Sequence, residues 1–197
     1  QLGVQTEWLE PSEIADLVPS IDLDGVLGGT FGPNDGLADP GSVVQGYISG
    51  AGHLGAQLET DIEVIDVLAE RGRVKGVVTD QGTVITSVVV NAAGPWAQVV
   101  GEMAGVRIPV VPVRRQIAVT GPLPDVPEDL PFVIDFERSL YFHREGAGIL
   151  TGMSNPDEIP GFDQSVDRGW ELIHLEAAIE RLPLLERAGL ANRWAGL

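Results

Sequence analysis

The sequence predicts an α+β fold in two parts, and three observations carry that prediction. The stretches Ile62–Val67, Val74–Thr79 and Thr83–Val90 are β-branched runs, and the last two are joined by Asp80-Gln81-Gly82, a glycine-containing hairpin signal. Residues 109–120, 132–135, 139–145 and 147–153 form a second strand-like series, interrupted by a Pro-rich connection over 121–131. A hairpin followed by a meander argues against a pure strand–helix–strand alternation. The expected division is residues 37–106 as one part, and residues 1–36 with 107–197 as the other.

In chain order, residues 7–19 read as a short helix, with Pro11 in its first turn and Pro19 as its stop. Residues 20–38 are rich in Gly, Asp and Pro and read as loop. Asp39 is the expected N-cap and Pro40 the first residue of a helix reaching about Ala56. After the hairpin, Val88-Val89-Val90 is continuously apolar, as expected for a strand buried on both faces. A helix over about 96–104 should follow and end at Gly105. Residues 165–182 read as a helix with Trp170, Ile173, Leu175, Ala178, Ile179 and Leu182 on its apolar side, and the closing ANRWAGL carries no stop signal. Trp8, Trp170 and Trp194 are expected in the core.

The chain has 197 residues, enough for one large domain or two small ones. Its net charge of −17 argues against non-specific nucleic-acid binding, which needs a basic face. There is no cysteine, which excludes disulfides and thiolate chemistry, and three scattered histidines give no metal-ligand spacing. No apolar run is long enough to span a bilayer, and the first ten residues do not read as a signal peptide. A cytoplasmic location is the default expectation. No serine sits in a nucleophile-elbow context, so acyl transfer is not supported.

Two segments bear on ligand binding. Gly50-Ala51-Gly52-His53-Leu54-Gly55 matches a dinucleotide fingerprint, but that pattern needs a preceding strand and a following helix, and too few residues separate it from Ile62. The alternative is a helix end passing into a loop, with Gly55 just beyond the cap. The second segment, Val88-Val89-Val90-Asn91-Ala92-Ala93-Gly94-Pro95-Trp96, places small side chains where a strand meets a helix. Small residues let a ligand or a second backbone come close, and backbone N–H groups at the helix start suit a polar or anionic group. A tight turn without a ligand accounts for the same spacing.

VVVNAAGPWAQVVGEMAGVRIPVVPVRRQ resembles the amino-acid oxidase superfamily of FAD-dependent enzymes, in the branch that holds sarcosine and dimethylglycine oxidases and dehydrogenases and related proline dehydrogenases. WLEPSEIADLVPSIDLDGVLGGTFGPNDGLADP, GAQLETDIEVIDV, LYFHREGAGILTGMSNPDE and RLPLLERAGLANRWAGL resemble further segments of that family in the same order. The resemblance implies FAD as cofactor, with Asn91, Ala92, Ala93, Gly94 and Trp96 beside it and the backbone of Val64 against the adenine. It implies hydride removal from the carbon next to a substrate amine onto flavin N5. The expected partner is a small-molecule amine such as sarcosine, dimethylglycine or proline, with no nucleic acid and no membrane. The family's pyrophosphate-binding fingerprint and its C-terminal flavin segment are not found in these residues, so the chain is expected to be an internal fragment that binds FAD weakly and does not turn over alone. A non-catalytic binding or assembly module on the same scaffold is the alternative.

The expected chemistry needs a cation for the substrate carboxylate and a group that keeps the amine neutral and aligned. Arg114 and Arg115 are neighbours on a strand and so should point to opposite faces, one of them toward a substrate cavity; an arginine at 115 could bind a carboxylate bidentately, and a surface salt bridge is the alternative for each. The dimethylglycine branch commonly carries a histidine at what resembles the Arg115 position, and this chain departs from it there. Tyr141 and His143 alternate onto one face of their strand, with Phe142 and Arg144 on the other. The resemblance places Tyr141 beside the substrate, and His143 shares its face. Asn91 is equally suited to tying down its turn. His53 and His174 receive no role.

Overall fold

The structure is a computed structural model and describes residues 3–197. In chain order the elements are β1 (Glu7–Leu9), α1 (Pro11–Leu17), β2 (Gly29–Phe31), α2 (Pro40–His53), β3 (Val64–Glu70), β4 (Arg73–Thr79), β5 (Gly82–Ile85), α3 (Ala97–Met103), β6 (Arg115–Thr120), β7 (Val133–Asp135), β8 (Leu140–Glu145), β9 (Gly148–Met153), α4 (Arg168–Arg181) and β10 (Leu190–Gly196). Short 3₁₀ turns cover Gly94–Trp96 and Pro183–Arg187. The fold is α+β, and the chain divides into two compact units: Ala38–Val113, and the residues up to Leu37 together with Arg114–Leu197.

In the 38–113 unit, β3, β4 and β5 form an antiparallel sheet. Helix α2 starts where Asp39 accepts a hydrogen bond from the Ser42 amide at 2.7 Å, with Pro40 as its first residue, where a missing N–H leaves no orphan. It ends at His53 with Gly55 at φ +91°, a left-handed position that suits glycine. Gly50 and Gly52 therefore lie inside α2 with helix, not a strand, leading directly into them, which removes the dinucleotide reading of Gly50–Gly55. Val88–Val90 departs from expectation. The β4–β5 ladder stops at Ile85, no described strand runs beside Val88–Val90, and Val88 and Val90 are 71% and 84% exposed. β-branched composition favours an extended backbone, but a strand exists only where a ladder satisfies it.

In the second unit, five antiparallel strands lie in the order β10-β6-β9-β8-β7, and α4 packs on one face. Leu140, Phe142 and Ile149 are fully enclosed there, with Ala178 and Leu182 above them. Burying each large side chain contributes roughly 2 kcal/mol. Asp167 caps α4, accepting from the Gly169 and Trp170 amides at 2.8 and 3.2 Å.

The inward stripe of α4 differs from the apolar set read from the sequence. Glu171, His174, Ala178 and Arg181 face the sheet, while Ile173 is 52% exposed. Each inward polar group is partnered, as burial requires: Glu171 with Arg168 and Arg193, His174 with Thr151, and Arg181 with Asp135.

Four further expectations are corrected. Residues 7–9 are a strand paired with Gly29–Phe31, so the helix begins only at Pro11 and residues 20–38 are not all loop. Residues 109–114 form no strand, since Pro109 and Pro112 offer no N–H to a ladder. ANRWAGL, to which the sequence assigned no element, forms most of β10, the sheet edge paired with β6. Trp8 and Trp194 are 61% and 40% exposed rather than core.

Candidate functional site

Residues directly opposite one another in antiparallel strands project to the same face. The registers therefore build rows across the five-stranded sheet on the face away from α4. Ile134, Tyr141, Gly152, Ile117 and Trp194 form one row. His143, Leu150 and Val119 form the next. Arg115 stands on the other side of the Tyr141 row, two residues before Ile117 on β6. Arg115, Tyr141 and His143 thus share one face, with successive rows about 6.8 Å apart. Tyr141 occupies the middle row. This face carries half-exposed large apolar groups, with Phe132 at 44%, Ile134 at 49% and Trp194 at 40% exposure.

Phe132 joins the two candidate side chains of β8. Its ring stacks on Tyr141 at 5.5 Å and on His143 at 5.2 Å, near parallel in both cases. Burial pushes the Tyr141 phenol above its ordinary 10, so it stays protonated and able to donate. His143 Nδ1 lies 2.8 Å from the Arg144 carbonyl oxygen. A carbonyl only accepts, so the network assigns the proton to Nδ1 and leaves Nε2 as an acceptor in the neutral ring. Sequence reading missed Phe132 and Gly152. An isolated glycine inside a strand signals close approach of another group, so the cue for Gly152 was present.

The two arginines differ sharply. Arg114, just ahead of β6, is held by Glu158 at 2.9 Å, by Asp163 at 3.0 Å and by the Ser165 carbonyl at 2.9 Å, with Asp167 at 3.9 Å. The Glu158 hydrogen bond and the surrounding carboxylates hold its guanidinium protonated even more firmly than usual. Arg115 is exposed, and its side chain donates from Nη1 to the Arg114 carbonyl at 2.9 Å. Among the described residues no carboxylate lies within ion-pair distance of it.

Beneath the Tyr141 row lies a buried polar chain. The Thr151 hydroxyl donates to the Tyr141 carbonyl at 2.9 Å, so its oxygen accepts from His174 Nε2 at 3.1 Å. Burial pushes the His174 imidazole from its ordinary 6.5 down to about 4, against the opposing pull of Glu171. Between those two values the unfolded chain binds a proton that the folded chain refuses. Stability is therefore fully present above pH 6.5 and falls as pH drops toward 4, with a slope of at most about 1.4 kcal/mol per pH unit. His174→Gln keeps a donor near Thr151 and should remove this slope, read from urea unfolding at pH 7 and pH 5. An unchanged slope would place the acid sensitivity elsewhere.

In the 38–113 unit, Asn91 locks its turn. Its Nδ2 donates to the Ala97 carbonyl at 2.8 Å, and its Oδ1 accepts from the Ala93 amide at 3.2 Å. Both side-chain ends are thereby used, and the Ala93 carbonyl accepts from the Trp96 amide at 3.0 Å. Ala92 and Gly94 are exposed, and a Cβ added at Gly94 meets nothing within 4 Å. Trp96 is 45% exposed, and Val64 opens β3 opposite Thr79 at 38% exposure. An open backbone flanked by exposed valines and a tryptophan fits a large flat ring system such as a flavin or adenine. A 3₁₀ turn over Gly94–Trp96 precedes α3, which has only seven residues, so the anion-binding helix start expected here is not formed as a full helix terminus. Among the described residues no cluster suited to a metal ion occurs, and no helix is long and apolar enough to cross a membrane.

The family model described as FAD dependent oxidoreductase matches residues 1–197. The chain is 34% identical over 205 residues to a mitochondrial dimethylglycine dehydrogenase of Rattus norvegicus, covering 93% of this chain and 24% of that protein. It is 31% identical over 208 residues to a mitochondrial sarcosine dehydrogenase of Homo sapiens, covering 98% of this chain and 22% of that protein. Among solved structures, L-proline dehydrogenase from P. horikoshii superposes with a TM-score of 0.89 at 30% identity, over 98% of this chain and 52% of that one. The chain thus spans about a quarter of the length of these curated relatives and half of the solved structure. With the match running from the first residue to the last, the chain belongs to the FAD-dependent oxidoreductase family.

Proposed function

We propose that this chain is part of an enzyme that oxidises the C–N bond of a small secondary or tertiary amino acid of the sarcosine, dimethylglycine or proline kind, and that the sheet face of Arg115, Tyr141 and His143 receives the substrate. The observation that carries the reading is the convergence of these three side chains on one half-exposed, aromatic-lined face. Arg115 offers a guanidinium that, among the described residues, has no carboxylate at ion-pair distance and whose fork matches a carboxylate. Tyr141 offers a neutral phenol as a hydrogen-bond donor. His143 Nε2 can take the proton of a substrate ammonium, leaving the nitrogen lone pair free. Phe132 and Ile134 offer half-exposed apolar surface beside the amine.

Residues 37–106 serve in this reading as the remainder of an FAD-binding domain, with residues 1–36 and 107–197 as the substrate domain. Val64 and the backbone of Asn91–Gly94, with Trp96, would hold FAD. When bound, FAD supplies the two-electron acceptor. The test is anaerobic: the intact gene product should carry a flavin spectrum that bleaches with sarcosine, dimethylglycine or proline. A flavin-loaded protein that no N-alkyl amino acid bleaches sinks the substrate reading.

Residues 1–197 alone should bind FAD weakly and show no turnover. The 38–113 unit leaves Val43, Val44, Tyr47, Val88 and Val90 between 46% and 84% exposed, which supports this expectation. Titration of purified 1–197 with FAD, followed by flavin fluorescence, checks it. A yellow, active 1–197 would overturn it. The expected location remains cytoplasmic and is checked by cell fractionation.

A further inference from the structure

Gly152 lies directly opposite Tyr141, in β9, the central strand of the five-stranded sheet. A side-chain carbon placed on it would overlap the Tyr141 Cζ and hydroxyl oxygen and lie 2.6 Å from Cε1. The phenol therefore lies across the glycine with its hydroxyl carried over β9. An aromatic on a half-exposed sheet face otherwise stands roughly perpendicular to it. The backbone does not require glycine here, because Gly152 is absent from the positive-φ positions. Glycine inside a strand is less favourable than alanine, so the seat carries a local penalty.

The other sides of the ring are equally defined. Phe132 stacks on it at 5.5 Å, and the Tyr141 carbonyl is tied to Thr151, the residue beside Gly152. The next residue in the row beyond Gly152 is Ile117, on the strand that carries Arg115. Neighbouring strands lie about 4.8 Å apart and a two-residue step covers about 6.8 Å, so the Arg115 and Gly152 backbones are about 8 Å apart. The phenol is thus directed toward the strand of the proposed carboxylate clamp.

We propose that Gly152 is a positioning residue for substrate binding: its missing side chain lets the Tyr141 phenol lie across β9 toward the Arg115 strand, and this sets the floor on which a short N-alkyl amino acid rests. The proposal rests on the assignment of Tyr141 to the substrate. Any side chain at 152 lifts the ring toward Phe132 and solvent and withdraws the hydroxyl from the amine.

The experiment is a double-mutant cycle in the intact FAD-loaded gene product, with Gly152→Ala, Tyr141→Phe and the pair, measured as anaerobic flavin reduction by sarcosine and by proline. Each single variant should keep its flavin and lose roughly tenfold in reduction efficiency. The double variant should be no worse than about twofold below the weaker single, because both changes remove one hydroxyl contact. Losses that multiply, or a Gly152→Ala protein with wild-type kinetics, overturn the role of Gly152 and leave Tyr141 standing. A Tyr141→Phe protein with wild-type kinetics instead overturns the assignment of Tyr141, and the present proposal with it. Should Gly152→Ala fail to fold, Gly152→Ala with Tyr141→Ala supplies the second reading. Removing the ring should restore folding and flavin content, and failure to restore them overturns the steric seat.

Discussion

Arg181→Met should lower the stability of the unit that carries the five-stranded sheet by about 3–5 kcal/mol. Arg181 lies on the inward face of α4 with its side chain 7% exposed, and its Nε donates to Asp135 at 2.8 Å, itself 11% exposed. Its Nη1 donates to the Asp22 carbonyl at 2.6 Å and reaches that of Asp24 at 3.3 Å. One guanidinium thus ties together α4, the end of β7 and the loop before β2. Methionine matches much of its length but leaves the Asp135 carboxylate buried with, among the described residues, the Arg138 amide at 3.1 Å and the Arg138 guanidinium at 3.8 Å to offset it. An uncompensated buried charge is the costly outcome, so Asp135→Asn combined with Arg181→Met should recover a large part of the loss. Urea midpoints for the two single variants and the pair decide the matter. A loss below about 1 kcal/mol in Arg181→Met would assign the contact to the class of weak surface pairs.

That ion pair also marks where sequence reading stops. Local chemistry was legible: Asp39-Pro40 announced α2, Asp80-Gln81-Gly82 announced a hairpin, and alternation announced β7 to β9. Each of these signals lies within a few residues of the structure it specifies. Arg181 was not legible, because a charged residue on a helix is expected to face solvent and its partners Asp135 and Asp22 are far away in sequence. Long-range pairing likewise hid β1 and β2, and it hid β10, whose ladder to β6 gives ANRWAGL a strand conformation that its composition does not announce. Val88–Val90 shows the converse, since β-branched residues alone produced no strand without a partner.

The candidate site divides along the same line. The shared face of Tyr141 and His143 followed from a period of two along β8, which any strand imposes. Phe132 and Gly152 came into the site only through the cross-strand register, which brings them onto the rings of β8. The two arginines could not be separated by sequence, because what separates them is the acidic segment Glu158–Asp167, which folds back onto Arg114 alone.

Arg115→Leu in the intact gene product is therefore expected to lower kcat/KM for an N-alkyl amino acid by about a hundredfold, the scale of losing a charged, hydrogen-bonded partner for a carboxylate. The effect should sit mainly in KM, because the carboxylate contact is made in ground and transition states alike. Arg115→Lys should restore only a small part, since an ammonium lacks the planar fork that grips both oxygens. An amine substrate without a carboxylate should be indifferent to either change. Arg114→Leu gives the contrast. It releases Glu158, whose side chain is 7% exposed, from its ion pair, so it should destabilise the protein while the surviving folded enzyme keeps its KM. If Arg115→Leu leaves KM unchanged, or if Arg114→Leu raises it with full stability, the carboxylate clamp lies elsewhere. The adjacency of the two residues makes the comparison decisive. They have the same side chain and successive positions, and their surroundings differ: one is closed into a cluster of carboxylates and the other opens onto the face that holds Tyr141 and His143.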